Sequence, residues 1–406
     1  MDPIARVDYG YGAVQKLTPM AKALINQAYG KGPDRSYIGG SSNGGRHAMV
    51  AAARFADQYD GVLANSPGFN LPLAAAAQLY SAQQFRRVAT DETNLETGFT
   101  LPERTMVANA ILARCDALDG VVDGLVQDLE ACRTTFDLDL HVPTCTGARD
   151  GTCLTADQKD AVGKMYRGPV NSDGRALYAT QPYDPGLATP GWASWKFTSS
   201  VGNARDPVAV GIIFQVPPDP GIASSLANSR NFAFNYNFDT DFPKLLLTDA
   251  TYTENAMSFM TPPNPTKLNT LRDRGAKMIV VQGASDGVFS IDDTRNWYDE
   301  LMKENAGKAD AFARFFIVPG MNHSSGGPAT EQYDALASLV DWVENGKAPD
   351  RIVATARGAG NAGGVNLAVP PDWAPDRTRP LCPYPSVARY NGSGDSERAE
   401  NFSCRR

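Results

Sequence analysis

The sequence feature that most constrains this chain is the pentapeptide GSSNG at residues 40–44. It follows the β-forming tripeptide SYI and precedes a helical stretch that begins near Arg46. A G-x-S-x-G sequence between a strand and a helix is typical of a nucleophile elbow, a tight turn that places a serine hydroxyl at the start of a helix. We therefore predict Ser42 as a nucleophile and the backbone N–H of Asn43 as an oxyanion donor. The alternative is a Gly-Ser loop with no chemical role.

Only three histidines occur in the chain, so the general base that a serine nucleophile needs can be selected by position. His47 lies in the helix behind the elbow, on the wrong side to reach Ser42, and is interpreted as a helix-surface residue. His141 lies between cysteines in a loop-like region. His323 follows an apolar run at residues 315–318, at the carboxyl end of a predicted strand, where open α/β sheets place their chemistry. We predict His323 as the base, with a structural loop histidine as the alternative.

The acid that orients a catalytic histidine is expected at another strand end. Asp286 closes the loop QGASD, which follows a parallel-type strand predicted at residues 277–281. Asp292 or Asp293 could take this role, but both lie at the start of the next predicted helix and are better explained as caps. The order nucleophile, Asp286, histidine along the chain is the order of the triad in α/β-hydrolases.

The cysteines form three pairs that are close in sequence: Cys115 and Cys132, Cys145 and Cys153, and Cys382 and Cys404. No CxxC motif is present, which argues against a zinc or thioredoxin-type site. Each pair spans a polar loop in which free thiols would be exposed to oxidation, so we predict three local disulfides. Disulfides imply a secreted or periplasmic protein, although the first residues show no signal-peptide pattern. Six reduced, buried thiols in a cytosolic protein are the alternative.

The alternation of strands and helices is interrupted in the middle of the chain. A helix is predicted at residues 18–29, with Thr18 as its cap and Gly30 as its stop. Strands are predicted near residues 36–39, 61–64, 277–282 and 313–318. Between about residues 69 and 263, prolines, Asp, Asn and aromatic residues replace this pattern. The sequence therefore predicts one α/β unit with a large irregular insertion.

Composition excludes several classes of partner. The chain has 45 acidic and 38 basic residues, a net charge of −7, which argues against a nucleic-acid partner. No apolar run approaches the roughly 18–20 residues that a membrane-spanning helix needs. The 406 residues are ample to bury a core. We expect a small-molecule partner, and the oligomeric state is left open.

Residues 115–125 form a loop that is dense in carboxylates, CDALDGVVDGL. Asp116, Asp119 and Asp123 could wrap a hard cation, and the carbonyls of Val121 and Leu125 fall at positions that would complete an oxygen shell. Oxygen ligands on a flexible loop suit Ca²⁺ better than Mg²⁺ or Zn²⁺, and the spacing is not that of an EF-hand. A solvated acidic turn is the alternative.

Together these motifs resemble the tannase/feruloyl esterase family of serine hydrolases. The resemblance extends over almost the whole chain: residues 8–11, 40–46, 60–62, 115–124, 153–155, 283–286 and 319–327. It implies an α/β-hydrolase fold with a large inserted lid domain. It also implies that the five loop residues named above hold a structural Ca²⁺, with no organic cofactor, and it matches the three local cysteine pairs.

By resemblance, the chain is expected to be a carboxylic ester hydrolase that acts on esters of aromatic acids, of the feruloyl, galloyl or terephthalate half-ester type. Trp192 and Trp195 in the lid could stack on the substrate ring, or they could pack the lid core. The catalytic lobe is predicted at residues 1–69 and 264–376, the lid at residues 70–263, and a disulfide-strapped tail at residues 377–406.

Two departures from the family pattern lead to further expectations. Where the family usually has a cysteine before the nucleophile and another after the catalytic histidine, this chain has Ser41 and Ser324. The histidine loop is therefore expected to be held by hydrogen bonds and packing. The nucleophile strand also begins near residue 36, which leaves no room for earlier strands or a second oxyanion donor. We thus expect an N-terminally shortened chain. Two alternative functions follow: a weakly active or non-catalytic remnant of a hydrolase, or a generic alkyl esterase.

Overall fold

The computed structural model describes residues 1–406. Four parallel strands, two before and two after the insertion, form its central sheet. In spatial order they are β1 (Tyr37–Ser41), β2 (Gly61–Asn65), β3 (Lys277–Gly283) and β4 (Ala313–Val318). Strand β3 is buried from its second residue to its last, as expected for a parallel strand covered on both faces. The four predicted strands are confirmed.

The α-helices cover both faces of this sheet and build the insertion. They are α1 (Pro3–Val7), α2 (Ala13–Tyr29), α3 (Asn43–Arg54), α4 (Leu71–Arg86), α5 (Leu101–Cys115), α6 (Leu129–Thr135), α7 (Leu138–His141), α8 (Ala156–Arg167), α9 (Pro190–Ala193), α10 (Arg205–Val208), α11 (Leu226–Asn235), α12 (Ala256–Met260), α13 (Asn269–Asp273), α14 (Ile291–Glu304) and α15 (Ala335–Asn345). Helices α3 and α14 share one apolar core with the strands, and α15 packs in a second core that includes Ile279 and Val281 of β3. The sheet is therefore sandwiched between helices.

Helix α2 begins five residues earlier than the sequence predicts. Thr18 does not cap it; its hydroxyl donates to the carbonyl of Val14 at 2.8 Å, inside the helix. Pro19 consequently lies within the helix rather than at its start. Proline is best tolerated in the first turn of a helix, so the local pattern favours a start at Thr18, whereas the helix in fact runs through the Thr18-Pro19 pair. The stop at Gly30 is confirmed, with a φ of 72°.

The insertion between β2 and β3 is helical and has its own apolar core. It comprises α4 to α13 with shorter 3₁₀ and π-helical turns, and its core includes Leu79, Phe85, Phe99 and Phe214. The prediction of an irregular insertion is wrong in this respect. Its prolines start helices instead of breaking them, because a proline in the first turn needs no N–H partner, as at α4, α5 and α9.

The C-terminal region consists of two small antiparallel sheets. Strand β5 (Ile352–Thr355) pairs with β6 (Thr378–Leu381), and β7 (Val387–Tyr390) pairs with β8 (Phe402–Arg405). All three predicted disulfides are present and no cysteine is free: Cys115–Cys132, Cys145–Cys153 and Cys382–Cys404. No helix has both the length and the apolar character needed to cross a membrane.

Candidate active site

The turn from β1 to α3 has the geometry of a nucleophile elbow. Ser42 has φ 61° and ψ −123°, a backbone conformation that a non-glycine residue rarely adopts. A Cβ atom on Gly40 would lie 2.5 Å from the carbonyl carbon of Gly44, so the turn can close this tightly only with glycine at position 40. The Ser42 N–H donates to the carbonyl of Asn65 on β2 at 3.0 Å. The sheet therefore holds the strained serine.

His323 and Asp286 form a continuous hydrogen-bonded chain with this serine. The Nε2 atom of His323 lies 2.7 Å from Ser42 Oγ, and its Nδ1 lies 2.9 Å from Asp286 Oδ2. The other carboxylate oxygen, Oδ1, accepts from the N–H groups of Val288 and Phe289 at 2.8 and 3.0 Å. Since a carboxylate can only accept, Nδ1 carries the proton and Nε2 is left to accept from the serine hydroxyl.

The other acidic candidates for orienting His323 point elsewhere. Asp292 is paired with Arg133 and Arg295, and Asp293 accepts from the amide of Asn70. Neither caps α14, because the hydroxyl of Ser290 does so. Of the three carboxylates that the sequence leaves open, Asp286 is the one hydrogen-bonded to His323.

The two remaining histidines have other contacts. His47 lies beside the guanidinium of Arg46, and burial, followed by the charge of Arg46, lowers the pKa of His47 to about 4. His141 accepts from the N–H of Asp137 through Nδ1 at 2.9 Å. Neither makes a hydrogen bond to Ser42.

Hydrogen bonds join the elbow to the histidine loop through Ser41 and Ser324. Ser41 Oγ donates to Ser324 Oγ at 2.7 Å, and Asn65 Nδ2 donates to Ser41 Oγ at 3.1 Å. The hydroxyl of Tyr333 donates to Asn65 Oδ1, and the Ser324 N–H donates to Ser66 Oγ. The expectation of a hydrogen-bonded attachment is therefore confirmed.

Aromatic side chains surround the imidazole. The rings of Trp195 and Phe289 meet His323 edge-to-face, with centroids 4.9 and 5.2 Å away. Trp192 instead is 5% exposed and packs against Phe197 in the insertion core, which fits the packing interpretation. The sequence gives Phe289 no distinguishing signal beyond its position three residues after Asp286.

The acidic loop buries its three aspartates. Asp116 accepts from the N–H groups of Asp123 and Gly124 at 2.9 Å each, which satisfies both of its oxygens. Asp119 Oδ2 is buried without any hydrogen-bond partner. Burial, reinforced by the charge of Asp123, raises the pKa of Asp119 to about 7. The unpaired Oδ2 of Asp119 lies among buried carboxylates, a setting that fits a hard cation, which would supply the missing positive charge.

Basic side chains of the C-terminal region also reach this loop. Arg379 pairs with the Asp123 carboxylate, and Arg377 donates to the Asp123 carbonyl at 2.6 Å. Nowhere in the chain do three or more acidic, histidine or cysteine side chains form a group that could hold a metal ion by themselves. A cation here would therefore depend on backbone carbonyls as well as on the loop carboxylates.

The relationship of this chain to known proteins agrees with the site. A family model described as tannase and feruloyl esterase matches residues 1–405. The chain belongs to the tannase and feruloyl esterase family. It is 37% identical over 431 residues to mono(2-hydroxyethyl) terephthalate hydrolase of Piscinibacter sakaiensis, with 100% of this chain and 69% of that protein covered.

Two further matches come from fungi. A probable feruloyl esterase of Arthroderma benhamiae is 28% identical, over 97% of this chain and 67% of that protein. The crystal structure of feruloyl esterase B from Aspergillus oryzae superposes with a TM-score of 0.71 at 23% identity, covering 98% of this chain and 74% of that one. The structural match supports the α/β-hydrolase fold, and family membership makes the chain a carboxylic ester hydrolase.

Proposed function

We propose that this ester hydrolase acts on esters of aromatic acids through an acyl-enzyme on Ser42. The observation that carries the proposal is the continuous chain of hydrogen bonds from Ser42 through His323 to Asp286. The three residues follow β1, β4 and β3, so they meet at the carboxyl edge of the parallel sheet, where such folds bind their ligands.

In the first half-reaction, Ser42 Oγ attacks the ester carbonyl carbon while His323 Nε2 accepts the hydroxyl proton. Asp286 stabilises the imidazolium that forms. The proton then passes to the leaving alcohol oxygen as the C–O bond breaks, leaving the acyl group on Ser42. Water attacks this acyl group with His323 again as the base, which regenerates the serine.

The oxyanion of the tetrahedral intermediate needs hydrogen-bond donors. Asn43 is the first residue of α3, so its N–H has no carbonyl partner one turn earlier within the helix. We propose this N–H as a donor to the oxyanion, assisted by the positive end of the helix dipole.

Two features support an aromatic acyl group. Trp195 and Phe289 bring flat apolar surfaces to the imidazole, where an aromatic ring could pack. The named relatives are feruloyl esterases and a terephthalate half-ester hydrolase. Since Trp195 comes from the insertion, we propose that the insertion acts as a lid over the acyl site.

A panel of esters tests this function. Purified wild type and Ser42→Ala are assayed with methyl ferulate, methyl gallate, mono(2-hydroxyethyl) terephthalate and an alkyl ester of similar leaving group. We expect a higher kcat/KM for at least one aromatic ester and a loss of about 10⁶-fold in kcat in Ser42→Ala. Equal rates for both proteins would contradict the nucleophile, and exclusive hydrolysis of the alkyl ester would contradict the substrate class.

We further propose a structural Ca²⁺ in the acidic loop, held by Asp116, Asp119 and Asp123 and by the carbonyls of Val121 and Leu125. A bound ion would neutralise the buried charges and stabilise the connection from α5 to the following loop. Added Ca²⁺ is expected to raise the melting temperature of EGTA-treated wild type but not of Asp119→Asn. Asp139→Asn, which changes an exposed carboxylate, is the control, and no response of wild type would contradict the site.

The three disulfides support a further proposal about location. Disulfides persist in oxidising compartments. We propose that the protein is secreted or periplasmic, and fractionation of the native host with an antibody would test this.

A further inference from the structure

A buried carboxylate of the insertion, Asp184, contacts both loops that carry the acid and the base. Its side chain belongs to a residue that is 2% exposed. Oδ1 accepts from the hydroxyl of Ser285, the residue directly before Asp286. Oδ2 accepts from the N–H of Gly320 at 3.1 Å, three residues before His323. One side chain therefore bridges the two loops.

A second bridge lies beside the first. Asn322, directly before His323, accepts from the hydroxyl of Thr189 through Oδ1 at 2.6 Å. Its Nδ2 donates to the carbonyls of Gly186 and Ser285 at 3.2 and 3.4 Å. Residues 184–189 of the insertion are therefore hydrogen-bonded to both loops at several points.

The glycines of this insertion segment pack tightly against both loops. A Cβ atom on Gly186 would lie 2.5 Å from Ser285 Cβ and 2.7 Å from the Gly320 carbonyl oxygen. A Cβ atom on Gly191 would lie 2.7 Å from Asn322 Oδ1. A shift of this insertion segment would therefore displace the acid loop and the histidine loop directly.

The insertion also holds the residues that follow Asp286. The buried Lys196 donates to Gln78 Oε1 at 3.1 Å, and Gln78 Nε2 donates to the carbonyls of Gly287 and Val288 at 3.1 and 2.8 Å. The reaction scheme above uses neither Asp184 nor these side chains. Their partners are the backbone and hydroxyl groups that surround the catalytic acid.

We propose that Asp184 is a positioning residue, which sets the orientation of His323 relative to Ser42 by bridging Ser285 and Gly320. The inference rests on the proposed function. Asp184 makes no hydrogen bond to the triad itself, so it acts through the two loops. Losing the bridge is expected to slow the chemical steps, because small misplacements of reacting groups are costly, while ester binding changes little.

Asp184→Asn tests this proposal, since the amide keeps the size of the side chain but cannot accept at both ends. Ser285→Ala removes one partner with less risk to folding, and Asp173→Asn, an exposed change in the same insertion, is the matched control. We expect kcat to fall about 10- to 100-fold in Asp184→Asn, with KM within twofold of wild type. We also expect a shifted acidic limb of the kcat/KM pH profile, and a smaller effect in the same direction in Ser285→Ala.

The Nδ1 proton of His323 gives a readout that does not depend on activity. Its downfield NMR signal is expected to move or broaden in Asp184→Asn and Ser285→Ala and to stay unchanged in Asp173→Asn. The positioning role would be overturned if the signal is unchanged in both Asp184→Asn and Ser285→Ala. It would also be overturned if a rise in KM accounts for the whole loss of kcat/KM and the pH profile is unchanged. If wild type shows the NMR signal but no hydrolysis that depends on Ser42, the proposed function is overturned. The response of the signal to the variants would still decide the role of Asp184.

Discussion

At the scale of single residues, the site combines a strained serine with two loops held by hydroxyl and amide hydrogen bonds. The half-buried Ser42 has an unfavourable backbone conformation, and its hydrogen bond to Asn65 in the sheet helps to maintain it. His323 depends on neighbours instead, since the contact between Ser41 and Ser324 attaches its loop to the elbow. Individual side chains here fix geometry more than they add stability.

The Ser41–Ser324 pair predicts an engineerable crosslink. The two hydroxyl oxygens are 2.7 Å apart across 283 residues of chain, so a Ser41→Cys/Ser324→Cys double variant is expected to form a disulfide and gain about 2–4 kcal/mol in unfolding free energy. Denaturation without reductant measures the gain, with each single cysteine variant as control. Two free thiols by mass spectrometry would contradict the geometry.

Asp293 predicts a specific pH dependence of stability. Burial raises its pKa in the folded protein to about 6, so between about pH 4 and 6 the folded state keeps a proton that the unfolded state has lost. This group therefore costs stability as the pH rises through that window. Asp293→Asn removes the cost, and its unfolding free energy relative to wild type is expected to rise by up to about 3 kcal/mol between pH 4 and 7. The exposed substitution Asp372→Asn is the control, and a flat difference for Asp293→Asn in denaturant titrations would contradict the assignment.

The triad residues could be predicted because Ser42 lies in a G-x-S-x-G motif and because Asp286 and His323 each follow an apolar strand run. Asp184 could not, because its partners Ser285 and Gly320 lie 101 and 136 residues away and no local pattern marks such contacts. Phe289 was missed for a simpler reason: an aromatic residue in a loop has no signal beyond its nearness to Asp286.

At the scale of elements, β3 and β4 were predictable because buried parallel strands have continuous apolar sequences, whereas β1 (YIGGS) was predictable from its place before the G-x-S-x-G turn. The start of α2 and the helical character of the insertion were not. The local preference of proline for a helix boundary misleads in both cases, because Pro19 lies inside α2 and prolines of the insertion occupy the first turns of α4, α5 and α9. Proline favours the first turn of a helix and disfavours its interior, and only tertiary context decides which position a given proline takes.

The β1–α3 turn predicts a sharp contrast between two glycines. Gly40→Ala would bring its Cβ to 2.5 Å from the Gly44 backbone, whereas a Cβ on Gly44 meets nothing within 4 Å. We expect Gly40→Ala to lose most activity and to lower the melting temperature, and Gly44→Ala to keep its fold. Comparable melting temperatures for the two variants would contradict the proposed turn geometry.

At the scale of the whole molecule, the insertion and the C-terminal region are attached to each other as well as to the sheet. Arg379 is 1% exposed and pairs with Asp123, and Arg389 donates to the Leu118 carbonyl at 2.9 Å. These long-range contacts join residues more than 250 positions apart. The insertion therefore is anchored at the acidic loop and at the triad loops.

The buried Arg379 predicts a large effect on stability. Arg379→Met leaves the Asp123 carboxylate buried without this partner and is expected to cost about 3–5 kcal/mol of unfolding free energy. The exposed pair of Arg398 and Asp376 offers a matched control. Arg398→Met is expected to change the unfolding free energy by less than about 1 kcal/mol. Equal effects in denaturant titrations would contradict the anchoring role of Arg379.

The measurement that tests the central claim most directly is the identification of the acylated residue. Wild-type protein mixed with an aromatic ester is acid-quenched within one turnover, and the intact mass and the proteolytic peptides are then determined. The account predicts a mass increase equal to the acyl group, located on the peptide that contains Ser42 and absent in Ser42→Ala. An adduct on another residue, or hydrolysis by Ser42→Ala at the wild-type rate, would contradict it.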